Sequence, residues 1–251
     1  MTAQYKMLPT IYRLLLVLTA GLVVAVSQEP SADAPLSVDQ IVARLVSKNE
    51  ARSKALTGYS SIRTYHLECH CISPKKADMT VRARYSAQRR TKDFEVVSES
   101  GSGTVRSKVF RKLLEAEQEA LQLDNERRLA ITPENYSIRL LSYEKTQTGD
   151  AYVLEVLPRG KSKFLFRGRI WVDGTDFAIT RAEGEPAVNP SWWTKKTEVV
   201  RTYEKVGEFW LPQNNNSVTQ LKLLGTAMLE ITYGSYQLAA ADSDGSSPSG
   251  R

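Results

Sequence analysis

Between Phe164 and Pro212 the chain reads FLFRGRIWVDGTDFAITRAEGEPAVNPSWWTKKTEVVRTYEKVGEFWLP, and its apolar residues recur with a period of two. Phe164, Phe166, Ile170 and Val172 fall on one side, with Leu165, Arg167, Arg169 and Trp171 on the other. That is the signature of a strand with one dry face. Asp173-Gly174 then predicts a hairpin into a second β-rich run. After a turn-rich segment, Thr197, Val199, Arg201 and Tyr203 alternate against Glu198, Val200, Thr202 and Glu204. Connections this short cannot cross over to a parallel neighbour, so the segment must form an antiparallel meander.

The same alternation marks the rest of the chain. Strands are expected near 59–71, 79–86, 94–100, 135–145, 151–157, 208–212, 216–224 and 228–238. Two helices interrupt them. Ser37 and Gln40 form a capping box that opens an amphipathic helix with Ile41, Leu45 and Val46 on its apolar stripe, ending at Gly58. Thr104 can cap a second, which carries Val105, Val109, Phe110, Leu113, Leu114 and Leu121. The fold class is therefore mainly β with α: a curved antiparallel sheet of about eleven strands with two covering helices. No Gly/Ser/Pro linker divides the middle of the chain, so residues 37–238 read as a single domain.

The ends read differently. Lys6 and Arg13 precede the charge-free run Leu14 to Val26, and Ala25-Val26-Ser27 offers small residues to a signal peptidase. Residues 1–27 are expected to be a signal peptide cleaved before Gln28, a retained anchor being the alternative. Export places the protein in the periplasm of a bacterium with two membranes. Residues 239–251 (AAADSDGSSPSGR) hold too little apolar surface to fold and are expected to be a disordered tail.

Two helices are too few to cover both faces of so large a sheet. Either one face is wet, or the sheet curls so that the helices plug its concave side. In the second case Tyr152, Leu154 and Val156 with Phe164, Phe166 and Ile170 would line an apolar pocket, or else pack as a solid core. Val109, Phe110 and Leu113 of the second helix would close it. Trp192 and Trp193 follow Asn189-Pro190, and at least one of them should pack over a sheet edge or the pocket mouth.

A leader, one amphipathic helix, three strands, a helix and a further run of strands resembles the LolA/LolB-type half-barrel of outer-membrane lipoprotein-sorting proteins. The residues that carry the resemblance are FLFRGRIWVDGTDFAITRAEGEP from Phe164, FWLP from Phe209 and NSVT from Asn216. It implies a hydrophobic cavity between barrel and helical lid that receives lipoprotein acyl chains or lipid, with no cofactor and with inner- or outer-membrane transport components as partners. It also implies an arginine that holds the lid shut, for which Arg63 is the matching position in the first strand. The same half-barrel serves periplasmic protein-binding sensors of envelope stress, so the fold leaves carrier and sensor open.

Catalytic patterns are missing. There is no G-x-S-x-G, H-E-x-x-H or P-loop, which favours binding over turnover and leaves a hydrolase with a loop-built site as the weaker alternative. His66, Cys69, His70 and Cys71 lie within six residues of one strand, but the two His share one face and the two Cys the other, so they cannot grip one metal ion while the strand is extended. A Cys69–Cys71 disulfide is disfavoured as well, because side chains two apart on a strand lie about 6.6 Å apart and bridged Cβ atoms about 3.8 Å. The basic run Arg82, Arg84, Arg89, Arg90 and Lys92 suits a solvated strand face or anionic lipid headgroups, and export argues against nucleic acid.

Overall fold

The structure, a computed structural model, describes residues 36–121, 130–146, 149–162, 165–189 and 192–239. The expected signal peptide at 1–27, nearly all of the expected tail at 239–251, and Phe164 lie outside the described residues.

The first helix, α1, spans Val38–Ala55. Its capping box is present, with the Gln40 amide donating to the Ser37 hydroxyl at 3.3 Å and the Ser37 amide to Gln40 Oε1 at 2.9 Å. Ile41, Val42 and Leu45 form its buried stripe. The helix stops at Ala55, and Gly58 opens the strand that follows.

Three strands come next: β1 (Gly58–Cys71), β2 (Lys75–Ser86) and β3 (Thr91–Gly101). A second helix, α2, occupies residues 103–120 as an α-helical turn Gly103–Val105, a π-helical segment Arg106–Phe110 and an α-helix Arg111–Ala120. Seven more strands complete the chain: β4 (Tyr136–Thr146), β5 (Gly149–Pro158), β6 (Phe166–Asp173), β7 (Ile179–Pro186), β8 (Thr194–Val206), β9 (Phe209–Leu221) and β10 (Gly225–Leu238). No described helix is long and apolar enough to cross a membrane.

All ten strands join one antiparallel sheet in the order β3-β2-β1-β10-β9-β8-β7-β6-β5-β4. The first and last strands pair along their whole length, from Tyr59 opposite Leu238 to Cys71 opposite Gly225. This pairing closes two meanders into one sheet, leaving β3 and β4 as its edges. It is the curved half-barrel with two covering helices that the alternation implied, with ten strands rather than about eleven. The difference lies at Pro212, which reads as a strand end but sits inside β9. Proline cannot donate to the ladder, and a register shift between Thr202 and Tyr203 of β8 accommodates it.

Register identifies the concave face. One row of directly opposed residues crosses nine strands: Met79, Tyr65, Ile231, Asn215, Arg201, Ala182, Ile170, Leu154 and Leu140. Both helices cover this face, at opposite ends of the row. Helix α1 packs over β4–β7, where Ile41, Val42 and Leu45 meet Tyr136, Leu154, Val156, Ile170 and Val172. Helix α2 packs over β1, β2 and β10 through Val105 and Phe110, which meet Tyr65, Leu67, Met79, Val81 and Ile231. In the middle of the row, at Asn215 and Arg201, the described residues form no apolar cluster. The sheet also needs close strand approach beside α1: a Cβ added at Gly168 would lie 2.0 Å from the Glu183 carbonyl oxygen.

Two expectations are corrected here. Cys69 and Cys71 are joined in a disulfide. Their Cα atoms are 5.2 Å apart, closer than the roughly 6.6 Å of a fully extended strand. Trp192 and Trp193 do not cover the sheet. They stack on each other with ring centroids 3.7 Å apart and stay exposed, Trp192 at 71%.

Candidate functional site

The uncovered middle of the concave face is a chamber of about 1170 Å³. Successive cross-strand rows lead into it from the end of the sheet where β1 finishes. The first row holds Cys71 and Leu221, the second Cys69, Ala227, Thr219 and Thr197, the third Leu67, Leu229, Ser217 and Val199, and the fourth Tyr65, Ile231, Asn215 and Arg201. From Cys71 to Tyr65 is six residues, a depth of about 20 Å at strand rise.

The walls differ in chemistry. On the β1 and β10 side the lining is apolar, and Val109 and Leu113 of α2 complete it from above. On the β8 and β9 side Thr197, Thr219, Ser217, Asn215 and Arg201 bring polar groups in among Val199, Tyr203, Pro212 and Leu221. Thr197 and Thr219 bond to each other there, with their hydroxyls 3.1 Å apart. Farther in, Asn215 Oδ1 and Arg201 Nε are buried without a hydrogen-bond partner. Arg201 is directly opposite Asn215 and pairs with no carboxylate among the described residues. Its neighbour Tyr203 holds the guanidinium above its ordinary pKa, so the chamber contains a fixed positive charge.

A second charged cluster joins the sheet to α2. Arg63, on the inward face of β1 and 1% exposed, donates through Nη1 to Glu117 Oε2 at 2.6 Å. Lys92 of β3 reaches the other carboxylate oxygen at 2.7 Å. The Gln118 side chain donates to the Lys92 carbonyl at 3.0 Å. Arg63 also lies over the Tyr233 ring at 4.8 Å and the Phe94 ring at 5.4 Å. Burial works against every charge in this cluster. For Glu117 the two cations outweigh it and hold the carboxyl below its usual range. For Arg63 and Lys92, burial is the largest single effect, but Glu117 together with the surrounding tyrosines outweighs it and keeps both above their ordinary values.

Helix α2 is weak on its own. Ser102 makes no side-chain cap to its first turn. Arg106, Lys108, Arg111 and Lys112 crowd its first half and Glu115, Glu117 and Glu119 its second, the reverse of what the helix dipole favours. Its position therefore depends on tertiary contacts, chief among them Val105 and Phe110 near its start and Glu117 near its end. Phe110 packs against the Tyr65 ring with centroids 5.7 Å apart.

The residues expected to form the pocket divide between the two ends of the concave face. Leu154, Val156 and Ile170 are enclosed under α1 and do not line the chamber. Tyr152 packs beside them, stacked on Phe177 at 6.1 Å. Of that group, Phe166 alone among the described residues reaches the chamber, next to Tyr136. The physical reason is that α1, not α2, covers these strands, and its apolar stripe fills the space a ligand would need. Of the expected lid residues, Val109 and Leu113 face the chamber, Phe110 is buried as an anchor, and Arg63 contacts the helix through Glu117.

Sequence reasoning missed Glu117, Lys92 and Arg201. Arg201 carried a readable signal, being the one charge in the alternating set Thr197, Val199, Arg201 and Tyr203. Glu117 carried none, since it sits among Glu115 and Glu119. His66 meets Asp78 at 2.6 Å and His70 lies 4.0 Å from Glu68. Among the described residues no three His, Cys, Asp or Glu side chains converge in a way that could hold a metal ion.

No protein-family model matches this chain, and no curated protein matches it. Among solved structures, it is similar to a DUF1329 family protein from Desulfovibrio piger, at 13% identity, covering 82% of this chain and 95% of that one, with a TM-score of 0.42. It is similar to a putative outer membrane lipoprotein-sorting protein domain from Vibrio parahaemolyticus, at 12% identity, 78% and 92% coverage and a TM-score of 0.41. It is also similar to a LolA superfamily protein from Nitrosomonas europaea, at 12% identity, 82% and 96% coverage and a TM-score of 0.39.

Proposed function

We propose that the protein is a periplasmic carrier that holds the acyl chains of a lipid or lipoprotein in this chamber, as part of outer-membrane lipoprotein sorting. The observation that carries the reading is the gap between the two helices, which leaves a chamber of about 1170 Å³, open on one side, with one apolar wall over β1 and β10. That volume exceeds the roughly 300–1,000 Å³ of ordinary small-molecule pockets. Each buried CH₂ of an acyl chain gains about 0.8 kcal/mol, so a single tail can offset the ordering of a helical cover.

The opposite wall suits the polar part of an amphiphile. Thr197, Ser217, Thr219 and Asn215 can bond ester or amide groups, and Arg201 can pair with a carboxylate or phosphate. Helix α2 acts as the lid. Val105 and Phe110 hinge it to the sheet while Arg63 and Lys92 fasten its far end through Glu117. The protein binds and releases; turnover is not part of this reading.

Native mass spectrometry of protein purified from a bacterium with two membranes tests it. Bound species with lipid masses, lost when Leu229 is replaced by Asp in protein of unchanged circular dichroism, are the expected result. Ligand-free wild type that takes up no lipid on incubation would end the carrier reading. A stoichiometric bound protein in place of lipid would favour the stress-sensor alternative.

A further inference from the structure

The end of the sheet where the chamber opens carries an unusual set of exposed side chains. Ile72, in the β1–β2 turn, is 81% exposed, and Leu223, in the β9–β10 turn, is 96% exposed. The stacked pair Trp192 and Trp193 stands immediately before β8. Backbone bonds join these three tips into one rim: the Ile72 amide donates to the Leu224 carbonyl at 3.0 Å, and the Lys222 amide to the Trp193 carbonyl at 2.8 Å.

Cations surround these apolar tips. The segments are Ile72-Ser-Pro-Lys75-Lys76, Trp192-Trp193-Thr194-Lys195-Lys196 and Lys222-Leu223-Leu224, with no Asp or Glu in any of them. Lys76 and Lys196 meet Glu68 and Glu198. Lys75, Lys195 and Lys222 make no ion pair among the described residues. Apolar tips between unpaired lysines cost free energy in water, and the arrangement matches what a membrane interface selects: aliphatic and Trp side chains at the acyl boundary with Lys at headgroup level.

We propose that this rim docks the protein onto an anionic lipid bilayer, with Ile72, Trp192, Trp193 and Leu223 entering the interface and the lysines contacting phosphates. Charge selects the occupant, since a rim with three unpaired lysines and no acid fits anionic lipid better than a second copy of itself. Cys71, Ile72, Ser73, Lys75 and Leu224 belong both to the rim region and to the chamber lining, so a docked protein has its opening against the membrane. The inference goes beyond acyl-chain binding and stands without it.

Quenching of Trp emission in the full chain by vesicles of phosphatidylethanolamine with one-quarter brominated phosphatidylglycerol tests it. The readout is local to the rim, so attachment elsewhere in the chain does not mimic it. The chain has four Trp, and the other two are hydrogen-bonded on the sheet, Trp171 to Glu144 at 3.2 Å and Trp210 to Asp176 at 2.9 Å. Quenching is expected in wild type, lost in Trp192→Phe with Trp193→Phe, and weakened at least about tenfold in apparent affinity in Ile72→Ser with Leu223→Ser. Phosphatidylcholine vesicles with one-quarter of their lipid brominated phosphatidylcholine should quench far less. Wild-type emission unchanged by anionic vesicles would overturn the proposal, as would equal quenching in the Ile72/Leu223 variant. So would a concentration-dependent dimer that this variant dissolves, because the rim would then be covered by a second copy.

Discussion

Arg63 and Glu117 lie 54 residues apart in the chain and meet at 2.6 Å, a fully buried guanidinium on the sheet held by a carboxylate on the helix above it. Lys92 occupies the carboxylate's second oxygen. One acid therefore bridges two cations, each through its own carboxylate oxygen, and fastens the far end of α2 to the sheet.

Removing that acid leaves both cations buried without a partner. Glu117→Ala is expected to cost about 3–5 kcal/mol in urea unfolding. Arg63→Leu combined with Glu117→Leu should cost less than the sum of the single changes, because no orphaned pair remains. Additive costs in the double-mutant cycle would show that the two residues are not coupled.

The same cluster sets an acid limit. Glu117 has its carboxyl pKa lowered in the folded protein, so its contribution is complete above the ordinary value of about 4.3 and is lost as pH falls below that. Arg63 and Lys92 are shifted upward, so their contribution persists through neutral pH and fades only above the lysine range of about 10.4. Hydrogen-exchange protection of the amides in residues 111–120, measured relative to the intrinsic rate at each pH, should therefore fall on acidification from pH 7 to below about 4. In Glu117→Gln the protection of the helix should be low at both pH values, with little further change.

The two ends of the concave face should respond differently to truncation. Leu154→Ala removes a side chain enclosed under α1 and is expected to cost about 2–5 kcal/mol of stability while leaving lipid binding in the surviving folded fraction unchanged. Val109→Ser, in the chamber roof, should do the reverse, with small loss of stability and weaker binding. Thermal melts paired with titration of a fluorescent fatty acid separate the two effects.

Arg201 is assigned the acidic group of the ligand. Arg201→Leu should weaken binding of a fatty acid more than tenfold while changing affinity for the corresponding alcohol by less than about threefold. Equal losses for both ligands would mean that the side chain shapes the chamber without reading charge.

Much of this architecture is written in the sequence. The alternating faces of β1 and β8, the Ser37–Gln40 cap and the Asp173 turn are local patterns, and each survives in the fold. What local pattern cannot encode is which helix covers which strands. The apolar faces containing Leu154 and Leu229 look alike along the chain, yet the first meets α1 and the second bounds open space. Only the long-range pairing of β1 with β10 decides this. The Arg63–Glu117 contact is hidden for the same reason, since Glu117 differs from its acidic neighbours only in where the sheet brings Arg63 and Lys92.

Photolabelling with a diazirine-bearing fatty acid, followed by peptide mapping, tests the chamber assignment most directly. Labels are expected on Leu67, Leu229 and Val109, with none on Leu154 or Ile170. Labelling concentrated on the residues beneath α1, or confined to the outer surface and unaffected by excess unlabelled fatty acid, would contradict the assignment of the space between the two helices as the ligand chamber.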